Sequence, residues 1–102
     1  MSIRKQFSKS KPVCKVFFKV SKEMAAGASK VTLVGEFNDW NETADEFDAL
    51  KDGSFSISIN LKTGRSYQFR YLLDGSVWIN DDAPDGYCYS GIGDSQNGII
   101  SL

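Results

Sequence analysis

Two tryptophans stand where a strand gives way to a turn: Trp40 in "GEFNDWN" and, just after a second turn, Trp78 in "DGSVWIN". An indole at such a junction serves either the core or a ligand, because its ring is large and apolar while its edge can still meet solvent. A β-sandwich often buries one tryptophan against its core, so neither position decides between the two uses alone. Arg70 adds to them, on an outward phase of the strand that feeds Trp78. Flat rings beside a cation and amide side chains suit a ligand with apolar faces and polar edges. Sugars are such ligands: their C–H groups lie on an aromatic plane while their hydroxyls bond to Arg and Asn. Single-stranded nucleic acid also stacks on rings, but it wants a basic groove. A net charge of −1 argues against nucleic acid and against an anionic membrane surface.

Catalytic arrangements fare worse. The chain has no histidine, which removes the usual general base near neutral pH and every Ser-His-Asp or Cys-His arrangement. Paired carboxylates cut glycosidic bonds, and Asp81, Asp82 and Asp85 are numerous enough. They lie in a turn-rich stretch, where Asp serves the backbone, and are read as turn residues. Gly91 and Gly93 carry no phosphate-loop signature, since no Lys-Ser/Thr pair follows them. Without histidine, and with only Cys14 and Cys88, no zinc site and no cofactor are expected. The two cysteines read as buried reduced thiols. "MSIRKQFSKSKP" has basic character but no apolar segment, and no run is long enough to cross a bilayer, so the expected location is cytoplasmic.

The elements that must position these residues are short strands. "PVCKVFFKV" alternates, with Cys14, Val16, Phe18 and Val20 on one face. "SKEMAAGAS" is a loop or at most one helical turn ended by Gly27. "KVTLVGEF" is a strand with Val31 and Leu33 on one face, and Asn38, Asp39 and Asn41 then favour a turn. "ETADEFDAL" reads as a loop ending in a short strand. "SFSISINL" turns Phe55, Ile57, Ile59 and Leu61 inward; "SYQFRYLL" does the same with Tyr67, Phe69, Tyr71 and Leu73. "DGS" makes a hairpin turn into "VWIN", "DDAPDG" is irregular, "YCYSGIGDSQNG" is a Gly-rich loop, and "GIISL" is a last strand. The expected fold is all-β: an antiparallel sandwich of about seven short strands, spanning residues 12–102 as one domain behind a basic tail at 1–11.

"VTLVGEFNDW", "YQFRYLLDGSVW", "NDDAP" and "NGIISL" together resemble carbohydrate-binding module family 48, over nearly the whole chain. That group includes the glycogen-binding domain of the AMP-activated protein kinase β subunit and the immunoglobulin-like early-set domains at the N-terminus of isoamylases and glycogen-branching enzymes. The resemblance implies a non-catalytic module that binds α-glucan through a surface aromatic platform. Trp40 and Trp78 match the two sugar-stacking tryptophans, the second with one extra residue between turn and ring. Arg70 stands where the family has a hydroxyl-binding lysine, Asn97 matches a glucan-binding asparagine, and Ile92 is the nearest match to an apolar residue that reaches into the sugar ring. "VWINDDAPDGY" looks more like the isoamylase-type pattern, in which the domain often packs against a catalytic barrel. The alternative is therefore a regulatory module that docks a glucan-processing enzyme, with Phe17 and Leu72 on exposed phases as its motive. A glycoside hydrolase is the least favoured reading, for want of a plausible acid/base pair.

Overall fold

The computed structural model describes residues 3–89 and 96–102. In chain order these residues form β1 (Ile3–Phe7), β2 (Val13–Val20), the single helical turn α1 (Lys22–Ala25), β3 (Val31–Gly35), a 3-10 turn (Glu36–Asn38), β4 (Asp45–Glu46), β5 (Asp48–Ala49), β6 (Phe55–Lys62), β7 (Ser66–Leu73), β8 (Val77–Ile79), β9 (Gly86–Tyr89) and β10 (Gln96–Ser101). The strands make two antiparallel sheets. One has the order β1-β2-β6-β5; the other runs β4-β3-β7-β10-β9, with β8 also on β7. This is the expected all-β sandwich. No helix among the described residues is long and apolar enough to cross a membrane.

The two-residue period of the sequence is what closes the sandwich. Cys14, Val16, Phe18 and Val20 from one sheet meet Leu33, Tyr67, Phe69, Tyr71 and Ile100 from the other, all buried. Aromatic rings dominate the contact: Phe18 meets Phe69 edge-on at 5.4 Å, and Phe47 meets Tyr71 at 5.6 Å. Phe37, from the 3-10 turn, also packs into this cluster, 6.0 Å from Tyr67. The Tyr67 hydroxyl donates back to the Lys62 carbonyl at 2.8 Å, which ties the β6–β7 turn. The buried Tyr71 hydroxyl donates to Asp81 at 2.8 Å, and Asp81 also accepts from the Ala83 N–H. Burial first, then the negative charge of Asp81, raises the Tyr71 hydroxyl above its ordinary range, so it stays a donor. Asp81 is thus a buried structural acceptor.

Three local outcomes differ from the sequence expectation. Ile3–Phe7, inside the stretch read as a basic tail, pairs along its whole length with β2. Lys5 faces the inside at this sheet edge, where its ammonium meets Asp85 at 2.6 Å and the Ser101 carbonyl at 3.1 Å. That bridge between the sheets makes a basic residue compatible with an inward phase. Gly86–Tyr89, read as loop, is an edge strand, because Tyr87 and Tyr89 pair with Gly98 and Gln96. Leu72, placed on an exposed phase, is buried together with Thr32 and Val34. β3 is covered on both faces, so the outward side of β7 is not all surface. Both cysteines are free, Cys14 buried in β2 and Cys88 half-buried in β9.

Two tests follow from this packing. A Cβ on Gly35 would lie 2.6 Å from the Gln68 carbonyl oxygen and 2.9 Å from Phe69 Cβ, while its φ of −171° is open to any residue. Gly35→Ala should therefore cost about 1–3 kcal/mol through overpacking alone, read as a lower denaturation midpoint. Partial desolvation raises the Asp85 carboxyl, but hydrogen bonds from Lys5 and Ser101 outweigh it and hold it below the usual range. A depressed carboxylate contributes stability above its unfolded value, about 3.9, and that contribution disappears as pH falls through the lower folded value. Denaturation curves from about pH 6 to 2 should show wild type losing this part of its stability in acid. Asp85→Asn should start lower and lose less over the same span.

Candidate functional site

β7 sets the geometry of the site. β3 pairs with Phe69–Leu73 on one edge of this strand, while β10 pairs with Ser66–Phe69 and β8 with Tyr71–Leu73. A strand has two edges, so β10 and β8 share the second, and Arg70 falls at the rung where one hands over to the other. Its side chain points away from the core, alternating with inward Phe69 and Tyr71. Trp78 stands directly across from Leu72, and Val34 directly across from Arg70. Thr32, Val34 and Leu72 are each at most 1% exposed and give this face a buried apolar floor. Above it the Arg70 guanidinium lies 5.8 Å from the centre of the Trp78 ring.

Trp40 arrives from the other edge. After β3 the chain makes the 3-10 turn and then places Asp39 (φ 54°) and Trp40 (φ 58°) consecutively in the left-handed region. Asp tolerates this conformation; a bulky side chain does so only where its surroundings impose it. Asn38 imposes it. Its Oδ1 accepts from the Gly35 N–H at 3.1 Å, and its Nδ2 donates to the Leu33 carbonyl at 2.9 Å and to Asp45 at 2.8 Å. Glu36 accepts from the Gln68 N–H at 2.6 Å, and the Trp40 N–H donates to the Gly35 carbonyl at 2.8 Å. Gly35 is across from Phe69. The Trp40 turn is thus anchored to the β3 side of β7 through Gly35, while Trp78 lies on the β8 side, across from Leu72. Trp40 is 37% exposed and Trp78 38% exposed.

The second tryptophan is set by a different device. Asp74 and Gly75 both have positive φ, and the Ser76 N–H closes the turn on the Leu73 carbonyl at 3.0 Å. Asp74 accepts from the Ser29 N–H, the Ser29 hydroxyl and the Lys30 N–H, each within 3.1 Å, and so pins the hairpin to the loop before β3. Some desolvation pushes its carboxyl up, but these bonds keep it below the ordinary range. Asn97 is not ahead of the last strand but the second residue of β10. It is 7% exposed and donates to Gln68 Oε1 at 3.0 Å. Ile92 lies outside the described residues. Asn38, read from the sequence as a turn residue, holds this turn together, whereas Gln68 and Asn80, which bond Asn97 and the Gln96 carbonyl, were not among the residues singled out in the sequence. The Asx-turn chemistry of "FNDWN" was the signal for the first; phase alone marks the other two.

The sheet on the far side offers Phe17, half-buried under the Arg4 guanidinium at 4.3 Å and near the Lys15 ammonium at 5.4 Å. It borders a shallow depression with Lys19, Ser56 and Leu50.

Comparison with known proteins gives two matches. A model of the family described as "Glycogen recognition site of AMP-activated protein kinase" matches residues 20–96, about three quarters of the chain. A 1,4-alpha-glucan-branching enzyme, chloroplastic/amyloplastic, from Oryza sativa subsp. japonica is 29% identical over 68 residues, which cover 60% of this chain and 8% of that enzyme. The chain thus corresponds to a small part of the enzyme's length.

The Asn38 clip carries a test. Asn38→Ala removes three hydrogen bonds at once and leaves the Gly35 N–H without its partner. It should destabilise the protein by about 1–3 kcal/mol and change the tryptophan emission of the folded state as the Trp40 turn relaxes. Unchanged stability together with an unchanged spectrum would show that Trp40 is placed by something else.

Proposed function

The chain belongs to the family of the glycogen recognition site of AMP-activated protein kinase, and we propose that it is a non-catalytic module binding α-glucan, such as glycogen or starch-like chains. The single observation that supports the reading is the exposure of both tryptophans, each more than a third, with Trp78 across from Leu72 beside the Arg70 guanidinium and Trp40 on the turn that follows Gly35, itself across from Phe69. The aromatic cluster of Phe18, Phe37, Phe47, Tyr67, Phe69 and Tyr71 belongs to the core, so the platform of this reading rests on the two indoles and not on that cluster. In this reading each indole stacks on a glucose ring, Arg70 and Asn97 bond to sugar hydroxyls, and Ile92 is the apolar residue that meets the ring. A shallow platform buries little of its ligand, so affinity is modest and gains from many glucose units on one polymer.

Docking of a glucan-processing enzyme has less support. Of its two motives, Leu72 is buried and Phe17 lies beneath Arg4. Hydrolysis finds none in Asp81, which is committed to Tyr71 and Ala83.

Native gels cast with glycogen test the proposal. Wild type should be retarded, and Trp40→Ala and Trp78→Ala should migrate as they do without glycogen. Wild-type mobility that ignores glycogen would end the reading. Variants retarded as strongly as wild type would move the site elsewhere.

A further inference from the structure

At the rung of Arg70, three strands meet. β10 leaves β7 after Gly98, across from Phe69, and β8 joins it at Ile79, across from Tyr71. Asn80 follows directly after β8, one residue beyond its last pair with β7, and by alternation shares the phase of Trp78. Its Nδ2 donates to the Gln96 carbonyl at 2.9 Å, which bridges the gap between β8 and β10. Two buried polar atoms have no hydrogen-bond partner among the described residues: Arg70 Nε and Asn80 Oδ1. Native structures pair such groups with protein, water or a ligand, so these two atoms mark a place where an outside group completes the bonding. They also differ in kind. A guanidinium nitrogen only donates, and an amide oxygen only accepts.

We propose that one hydroxyl of the bound glucan completes both, accepting from Arg70 Nε–H and donating to Asn80 Oδ1, so that Asn80 is a specificity-determining contact of this site. The inference rests on the glucan-binding reading and refines it. A hydroxyl is the simple group that accepts and donates at once. A phosphate or carboxylate oxygen can accept from Arg70 but brings no proton for Asn80. An ammonium could serve Asn80 but would face the guanidinium charge. The rung therefore selects a neutral sugar hydroxyl over an anionic or cationic substituent at that position. Both atoms are covered in the free protein, so the Arg70 guanidinium must turn for the hydroxyl to enter. Its 5.8 Å distance from the Trp78 ring is at the long end for a cation–π contact, and releasing it also frees the ring face for stacking.

Calorimetric titration with maltoheptaose tests this, using wild type, Asn80→Ala, Arg70→Met and the double variant. Each single change should weaken binding about five- to tenfold, the scale of one hydrogen bond. The double variant should lose no more than about twofold beyond either, because both partners act on one hydroxyl. Additive losses, or Asn80→Ala binding as wild type does, would overturn the inference and leave the general reading standing. No binding by wild type would overturn both. Asn80→Asp guards against a folding defect in the alanine variant. Its carboxylate should pair with Arg70 and shut the hydroxyl out, so a folded Asn80→Asp protein that binds like wild type would also count against the proposal.

Discussion

A strand can send its side chains to two faces only, and β7 uses both. Tyr67, Phe69, Tyr71 and Leu73 fill the sandwich, while Gln68, Arg70 and Leu72 build the other side. The hydrogen-bond ladder with β3 fixes which residue meets which, so a one-residue slip would exchange the core for the site. Gly35 holds that register at one end by admitting the Gln68 carbonyl where a methyl group would not fit. The aromatic core and the candidate site are in this sense two readings of one alternation.

The polar groups around the platform act on backbone before they act on anything else. Asn38 grips β3 and β4, Asp74 grips the loop before β3, and Gln68 holds the amide of Asn97. Each converts a flexible side chain into a fixed reference for a neighbouring ring or donor. The positions proposed to meet sugar are thus held by positions to which the proposal gives no contact with it.

Much of this was legible in the sequence. Strict alternation in "SFSISINL" and "SYQFRYLL" marked β6 and β7 with their inward faces, and Asp-Gly marked the hairpin that presents Trp78. Trp40 and Trp78, whose positions at turn junctions left core and ligand equally open, are each a little over a third exposed. Legibility failed where the deciding contact is far along the chain. β1 reads as a tail because Lys5 spoils its apolar alternation, and its partner Asp85 is 80 residues away. Leu72 reads as exposed because nothing local says that β3 will be buried on both faces. Asn80 has no signal of its own, since its importance depends on three strands meeting.

The buried seam of Thr32, Val34 and Leu72 has a bearing on the energetics of association. Around Arg70 the central strands are covered above and below, so their backbone has little freedom left to lose. A weak surface binder usually gives up part of its contact energy to order loops and side chains. Under the proposed binding mode the floor beneath the sugar is already ordered, and the two indoles are held on turns closed by their own hydrogen bonds. The remaining entropy change falls mainly on the sugar chain and on one guanidinium. On the proposed reading, a glucan already wound into a helix, with less of its own freedom to surrender, would bind better than a flexible chain of the same length.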